Sequence, residues 1–175
     1  MTQYDDLYEI AADNYGLVTV AEAKKLGISR KVMNALAARG RLLRRGYGVY
    51  KLVHYIPTPY DIYAEAVALV GSNAYLYGES VISMLELASA NPARIFVATP
   101  ARVRKTLPEH IIVIKADYQP TNYDGVSSQS VTDAICVSMK SMMPDRLIDA
   151  VEEARKQGYI KEAERIELLG KLKRP

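Results

Sequence analysis

Between Thr19 and Gly40 the chain is punctuated as two short helices joined by a turn, and this constrains the fold more than any other stretch. Thr19-Val20-Ala21-Glu22 is a capping-box pattern, in which each end side chain can satisfy the other's backbone N–H. It predicts a short helix over Val20 to Leu26, closed by Gly27, a residue suited to the left-handed position after a helix. Ser29 is a good N-cap for a following helix, Arg30 to about Arg39. Val32, Met33 and Leu36 form its inner face and Gly40 ends it. Helix, glycine turn, helix is the helix-turn-helix plan. Upstream, Leu7, Ile10, Ala11 and Tyr15 recur at helical spacing and predict a first helix from about Tyr4 to Asn14, ended by Gly16. Leu17-Val18 is a short extended piece. Downstream, Arg41 to Arg45 and Val49 to Val53 read as two strands around Gly46-Tyr47-Gly48. A β-hairpin placed directly after the second helix of such a unit is a wing.

Charge points the same way. The window from Ala23 to Lys51 holds nine basic residues and no acidic one. Of the 23 basic and 20 acidic residues in the chain, the remainder keeps 14 basic against all 20 acidic. A positive block on an otherwise acidic protein is the electrostatic footprint of a nucleic-acid contact surface. In helix-turn-helix units the second helix enters the major groove and its N-terminal residues reach base edges. Here these are Ser29, Arg30, Lys31 and Asn34. Arginine suits guanine edges and asparagine suits adenine. Arg39, Arg41, Arg44, Arg45, Tyr47 and Lys51 are placed to hold phosphates or enter a minor groove, and the glycines of the wing tip let the backbone approach closely.

Beyond residue 53, His54-Tyr55-Ile56-Pro57-Thr58-Pro59 reads as an extended joint. The expected organisation is a winged helix-turn-helix over 1–53, a linker over 54–60 and a second domain over 61–175. A helix from Asp61 to about Val70 is expected, with Asp61 as N-cap and Ile62, Ala66 and Leu69 buried. A second runs from Gly78 to Leu87. Arg94 to Thr99 and His110 to Lys115 are β-branched runs suited to strands. Ser130 to Met142 is an apolar helix, and Pro144 to Leu172 is amphipathic with a break at Gly158, giving two helices. The fold class is α+β. Thirteen tyrosines, one phenylalanine and no tryptophan suit half-buried surfaces that keep a hydroxyl wet.

Several stretches together resemble one family. These are Gly27-Ile28-Ser29-Arg30, Leu36 to Leu42 and Arg45-Gly46-Tyr47-Gly48-Val49-Tyr50, then Tyr75 to Ser80, Ile95 to Pro100, Gly125-Val126, Ser130 to Ala134, Asp149-Ala150 and Ala154 to Gly158. They resemble the AbiEi antitoxins of type IV toxin–antitoxin (abortive infection) systems, over nearly the whole chain. The chain departs from that pattern at Ser130-Val131, where relatives often carry Arg-Thr. The resemblance implies a winged helix-turn-helix followed by a mixed α/β antitoxin domain with C-terminal helices. It implies a cytoplasmic transcriptional repressor in phage defence that binds inverted repeats upstream of its own operon. The partner implied is a nucleotidyltransferase-like toxin, opposed without a need for a stable complex. A different class of reading is a protein-interaction module that neutralises its toxin by direct binding, with DNA binding secondary.

Catalytic readings find little support. Gly71-Ser72 resembles the opening of a nucleotidyltransferase, but that chemistry needs paired aspartates downstream, and the next twenty residues contain none. Glu79-Ser80 has no histidine near it in sequence. His54 and His110 are isolated. Lys115-Ala116-Asp117 lacks the further carboxylates of a nuclease. Glu152-Glu153 and Glu162/Glu164 read as a solvated helix face. The single cysteine, Cys136, sits among apolar residues and reads as an inert thiol; it excludes an internal disulfide and multi-cysteine zinc sites. No enzyme activity, metal or cofactor is expected. No stretch approaches the roughly 20 apolar residues of a membrane span, and the N-terminus lacks the pattern of a secretory signal.

Overall fold

The structure, a computed structural model, describes residues 1–91 and 93–173. The chain forms two compact units. The first comprises Met1–Ser72 with Val103–Leu107, and the second Asn73–Arg102 with Pro108–Pro175.

In the first unit the elements run α1 (Gln3–Ala12), β1 (Leu17–Thr19), α2 (Val20–Lys25), α3 (Arg30–Ala38), β2 (Leu42–Gly46), β3 (Val49–Leu52) and α4 (Asp61–Val70). The local signals act as expected. Thr19 and Glu22 form the reciprocal capping box at the start of α2. At its end, the Gly27 N–H donates to Lys24 O and the Ile28 N–H to Ala23 O, the two bonds of a Schellman motif. Ser29 Oγ accepts from the Val32 N–H at 3.3 Å and starts α3. The extended piece after Gly16 is a strand, and β1 pairs antiparallel with β3, which pairs with β2, to give a small sheet ordered β1-β3-β2. Leu7, Ala11, Val18, Ala23, Ile28, Met33, Leu36, Leu42, Tyr50 and Leu52 make one core beneath these elements. Burying each large apolar side chain of that set contributes about 1.5–3 kcal/mol, an upper estimate against a compact denatured chain.

The expected joint at 54–60 lies inside this unit, and α4 belongs to it as well. The reason is electrostatic and steric. Asp61 bonds Lys51 on β3, Glu65 pairs with Arg45 on β2, and Leu69 packs so close to Gly46 that a Cβ there would lie 2.4 Å from Leu69 Cδ2. Asp61 is not the N-cap of α4. It is the first helical residue, buried, and its carboxylate turns back to accept from the Thr58 N–H and hydroxyl. Ile62 is also not buried; it faces solvent, whereas Ala66 and Leu69 point inward.

The second unit contains β4 (Tyr75–Leu76), α5 (Glu79–Met84), β5 (Ile95–Thr99), β6 (Ile111–Lys115), β7 (Thr121–Tyr123), β8 (Val126–Ser128), α6 (Val131–Ser138), α7 (Pro144–Lys156) and α8 (Glu162–Leu172). Its five-stranded sheet is mixed, in the order β6-β5-β4-β8-β7. β6 runs parallel to β5 and β8 parallel to β4, while β4/β5 and β7/β8 are antiparallel. The helices α6, α7 and α8 bury Ala134, Ile135, Leu147, Ala150, Val151, Ala154 and Leu168. The hydroxyls of two tyrosines here are used as acceptors: the fully buried Tyr75 accepts from the Tyr118 N–H and the half-buried Tyr123 from the Val131 N–H.

Glu79 and Ser80 are absorbed by this architecture. Ser80 Oγ accepts from the Phe96 N–H at 2.7 Å, tying α5 to β5, and Glu79 accepts from the Ser141 hydroxyl. The acidic face of the tail is a surface ion-pair network in which Arg165 bridges Glu152 and Glu162. Burial pushes the Cys136 thiol up, away from the reactive thiolate. Among the described residues no group of three or more His, Cys, Asp or Glu could hold a metal, and no helix is long and apolar enough to cross a membrane.

Candidate nucleic-acid interface

The exposed face of α3 and the wing carry the residues singled out in the sequence. The amphipathic α3 buries Met33 and Leu36 and exposes Ser29, Arg30, Lys31, Asn34 and Arg39. Ser29 spends its hydroxyl on capping the helix, so its outward role falls to the backbone it positions. Asn34 Oδ1 accepts from the Tyr50 hydroxyl on β3. That bond orients the amide and leaves its Nδ2 donors directed elsewhere. Tyr50 itself is almost fully buried, so it anchors Asn34 to the core.

The wing tip and α3 meet through Arg30, whose guanidinium lies over the Tyr47 ring at 4.9 Å from the centroid. Such a pair at an exposed site contributes about 0.5–1 kcal/mol. Its larger effect is to fix the helix start and the wing tip relative to each other. The neighbouring Arg30 guanidinium holds the Tyr47 phenol below its ordinary value, and the Lys105 and Arg44 charges act in the same direction. Arg44 is exposed on β2.

At the other end of α3, about 13 Å away for a helix of this length, Arg39 is exposed and Arg41 lies over the Tyr4 ring of α1 at 4.9 Å. These two flank the helix and do not share the tip with Arg30.

Two residues of the basic block face elsewhere. The hairpin has a bulge between Arg44 and Gly46, and a bulge re-aims the side chain it carries. Arg45 turns to α4, where it pairs with the largely buried carboxylate of Glu65. Lys51 is half-buried, 2.9 Å from Asp61, with its ammonium 5.4 Å from the Tyr55 ring centroid. The block of nine cations is therefore not unopposed. Its opposing charges come from α4, ten and twenty residues further along the sequence. Burial works to raise the Asp61 carboxyl, but its bonds to Lys51 and Thr58 outweigh this and hold it below the usual range.

Tyr50, Asp61 and Glu65 are the contributors that the sequence does not announce. Tyr50 follows the alternation of a strand and could be read as core alone. The two carboxylates lie beyond a proline-rich stretch that resembles a boundary.

Residues 5–53 match the family described as "Transcriptional regulator, AbiEi antitoxin". Among solved structures, the RV2827C protein from Mycobacterium tuberculosis is similar at 15% identity, covering 98% of this chain and 82% of that one with a TM-score of 0.41. No curated protein matches the chain. The N-terminal region of this chain, with its capped α2 and α3 and its basic wing, is thus similar to the AbiEi antitoxin transcriptional regulators over residues 5–53.

Proposed function

We propose that the chain is a sequence-specific DNA-binding repressor that controls its own operon as the antitoxin of a type IV system, opposing a nucleotidyltransferase-like toxin in the cytoplasm without an enzymatic activity of its own. The observation that carries this reading is the fixed juxtaposition of exposed Arg30 with Tyr47 of the wing. It presents the start of α3 and the hairpin tip as one surface, and a major groove with its adjacent backbone is the target that uses both. Arg30, Lys31 and Asn34 read base edges, with Ser29 capping the helix that carries them. Arg39, Arg41, Arg44 and Tyr47 hold the backbone. Arg45 and Lys51 are engaged by α4 and support the wing.

The test is transcription from the DNA upstream of the chain's own gene, read with a reporter. The chain lowers reporter output, and Arg30→Ala relieves repression, because loss of a base-reading arginine costs about 1–3 kcal/mol and relaxes specificity. A reporter indifferent to the wild-type chain, or fully repressed by Arg30→Ala, contradicts the assignment. Growth arrest by the product of the neighbouring gene, reversed by this chain supplied separately, tests the antitoxin half.

A further inference from the structure

The segment Val103–Leu107 stands apart from its surroundings. The chain leaves the second unit after Arg102, packs these five residues with the winged-helix unit, and returns at Pro108. It has no regular secondary structure. Arg104 is exposed and Lys105 half-buried, and from Pro100 to Pro108 the sequence contains no acidic residue. Among the described residues neither Arg104 nor Lys105 has an ion-pair partner, in contrast to Arg45 and Lys51. Lys105 lies near enough to the wing tip for its charge to act on the Tyr47 hydroxyl. Tyr47 thus has Arg30 over its ring and feels the charge of Lys105 from a segment of the same compact unit. Burial lowers the Lys105 ammonium; a partly desolvated cation without an anion is unfavourable, and an arriving anion removes that cost.

We propose that Val103–Leu107 is a second limb of the nucleic-acid interface, in which Arg104 and Lys105 hold backbone phosphates of duplex DNA beside the wing. The proposal rests on the repressor reading. Its chemistry is that of phosphate contacts: charge without base readout, so it sets affinity and salt dependence and not sequence preference.

The test compares the full chain with the double variant Arg104→Gln/Lys105→Gln on two duplexes, the chain's own upstream DNA and a scrambled version, across a salt series. Two phosphate contacts at about 0.9 each make the slope of log affinity against log salt shallower by about 1.8 in the double variant, equally for both duplexes, with the ratio between them unchanged. The single variant Arg104→Gln, at an exposed position, loses about 0.9 and keeps the test valid should Lys105 matter to packing. Arg104→Lys/Lys105→Arg retains the wild-type slope. If the wild type binds with a clear salt slope and the variants match it, the second limb is wrong and the repressor reading stands. If the wild type binds neither duplex, the repressor reading fails and the limb with it.

Discussion

Gly16 and Gly27 both have a φ near +73°, but their surroundings differ. A Cβ at Gly27 would meet nothing within 4 Å, whereas one at Gly16 would lie 2.5 Å from Tyr55 Cγ and 2.9 Å from Tyr55 Cβ. The Gly16 carbonyl also accepts from the Leu52 N–H, so the backbone there cannot drift without opening β3. Gly27→Ala is therefore expected to lose about 1–2 kcal/mol, the conformational cost alone. Gly16→Ala adds overpacking of about 1–3 kcal/mol to it. Denaturant unfolding of the two variants checks the order; equal losses would show that Tyr55 yields freely. At this scale the sequence is highly legible. The capping box at Thr19, the Ser29 cap and the stop at Gly27 are bonds between near neighbours, so spacing alone specifies them. The role of Tyr55 against Gly16 is not legible, because no local rule joins residues so far apart in the chain.

Among the elements, α4 separates what the sequence tells from what it does not. Its length follows from its apolar spacing, but its attachment to the wing depends on Asp61 and Glu65 finding Lys51 and Arg45 across the proline-rich stretch. The same holds for β4, β7 and β8. Asp124-Gly125 is a hairpin signal between β7 and β8, but their strands are three residues each, too short for periodicity to register. The α4 pairing has consequences for binding and for stability. Glu65→Gln releases Arg45 toward solvent, and an additional cation beside the wing strengthens duplex binding and steepens its salt slope by about 0.9. Unchanged or weaker binding by a stably folded Glu65→Gln protein would show that Arg45 is only a strut. Asp61 has the opposite emphasis. Its carboxyl is held below the ordinary 3.8, so the stability it contributes is present above that value and is lost as pH falls through the depressed folded value. Unfolding measured across the acid range should show this loss in the wild type and a flatter limb in Asp61→Asn; an identical acid limb would remove Asp61 from the account.

For the whole molecule, the positive window is the feature that composition shows best and geometry revises most. The sequence places nine cations in one block, and the fold keeps Arg30, Lys31, Arg39, Arg41 and Arg44 outward while turning Arg45 and Lys51 to α4. It also brings Arg104 and Lys105 to the same unit from a loop between β5 and β6. The candidate surface is thus partly smaller and partly larger than the linear charge count. The most direct measurement is the affinity of the full chain for its own upstream duplex and for a scrambled one, at about 50 and about 200 mM salt. The account predicts a preference for its own sequence on the order of a thousandfold or more, with both affinities falling steeply as salt rises. Equal affinity for the two duplexes, insensitive to salt, would contradict it.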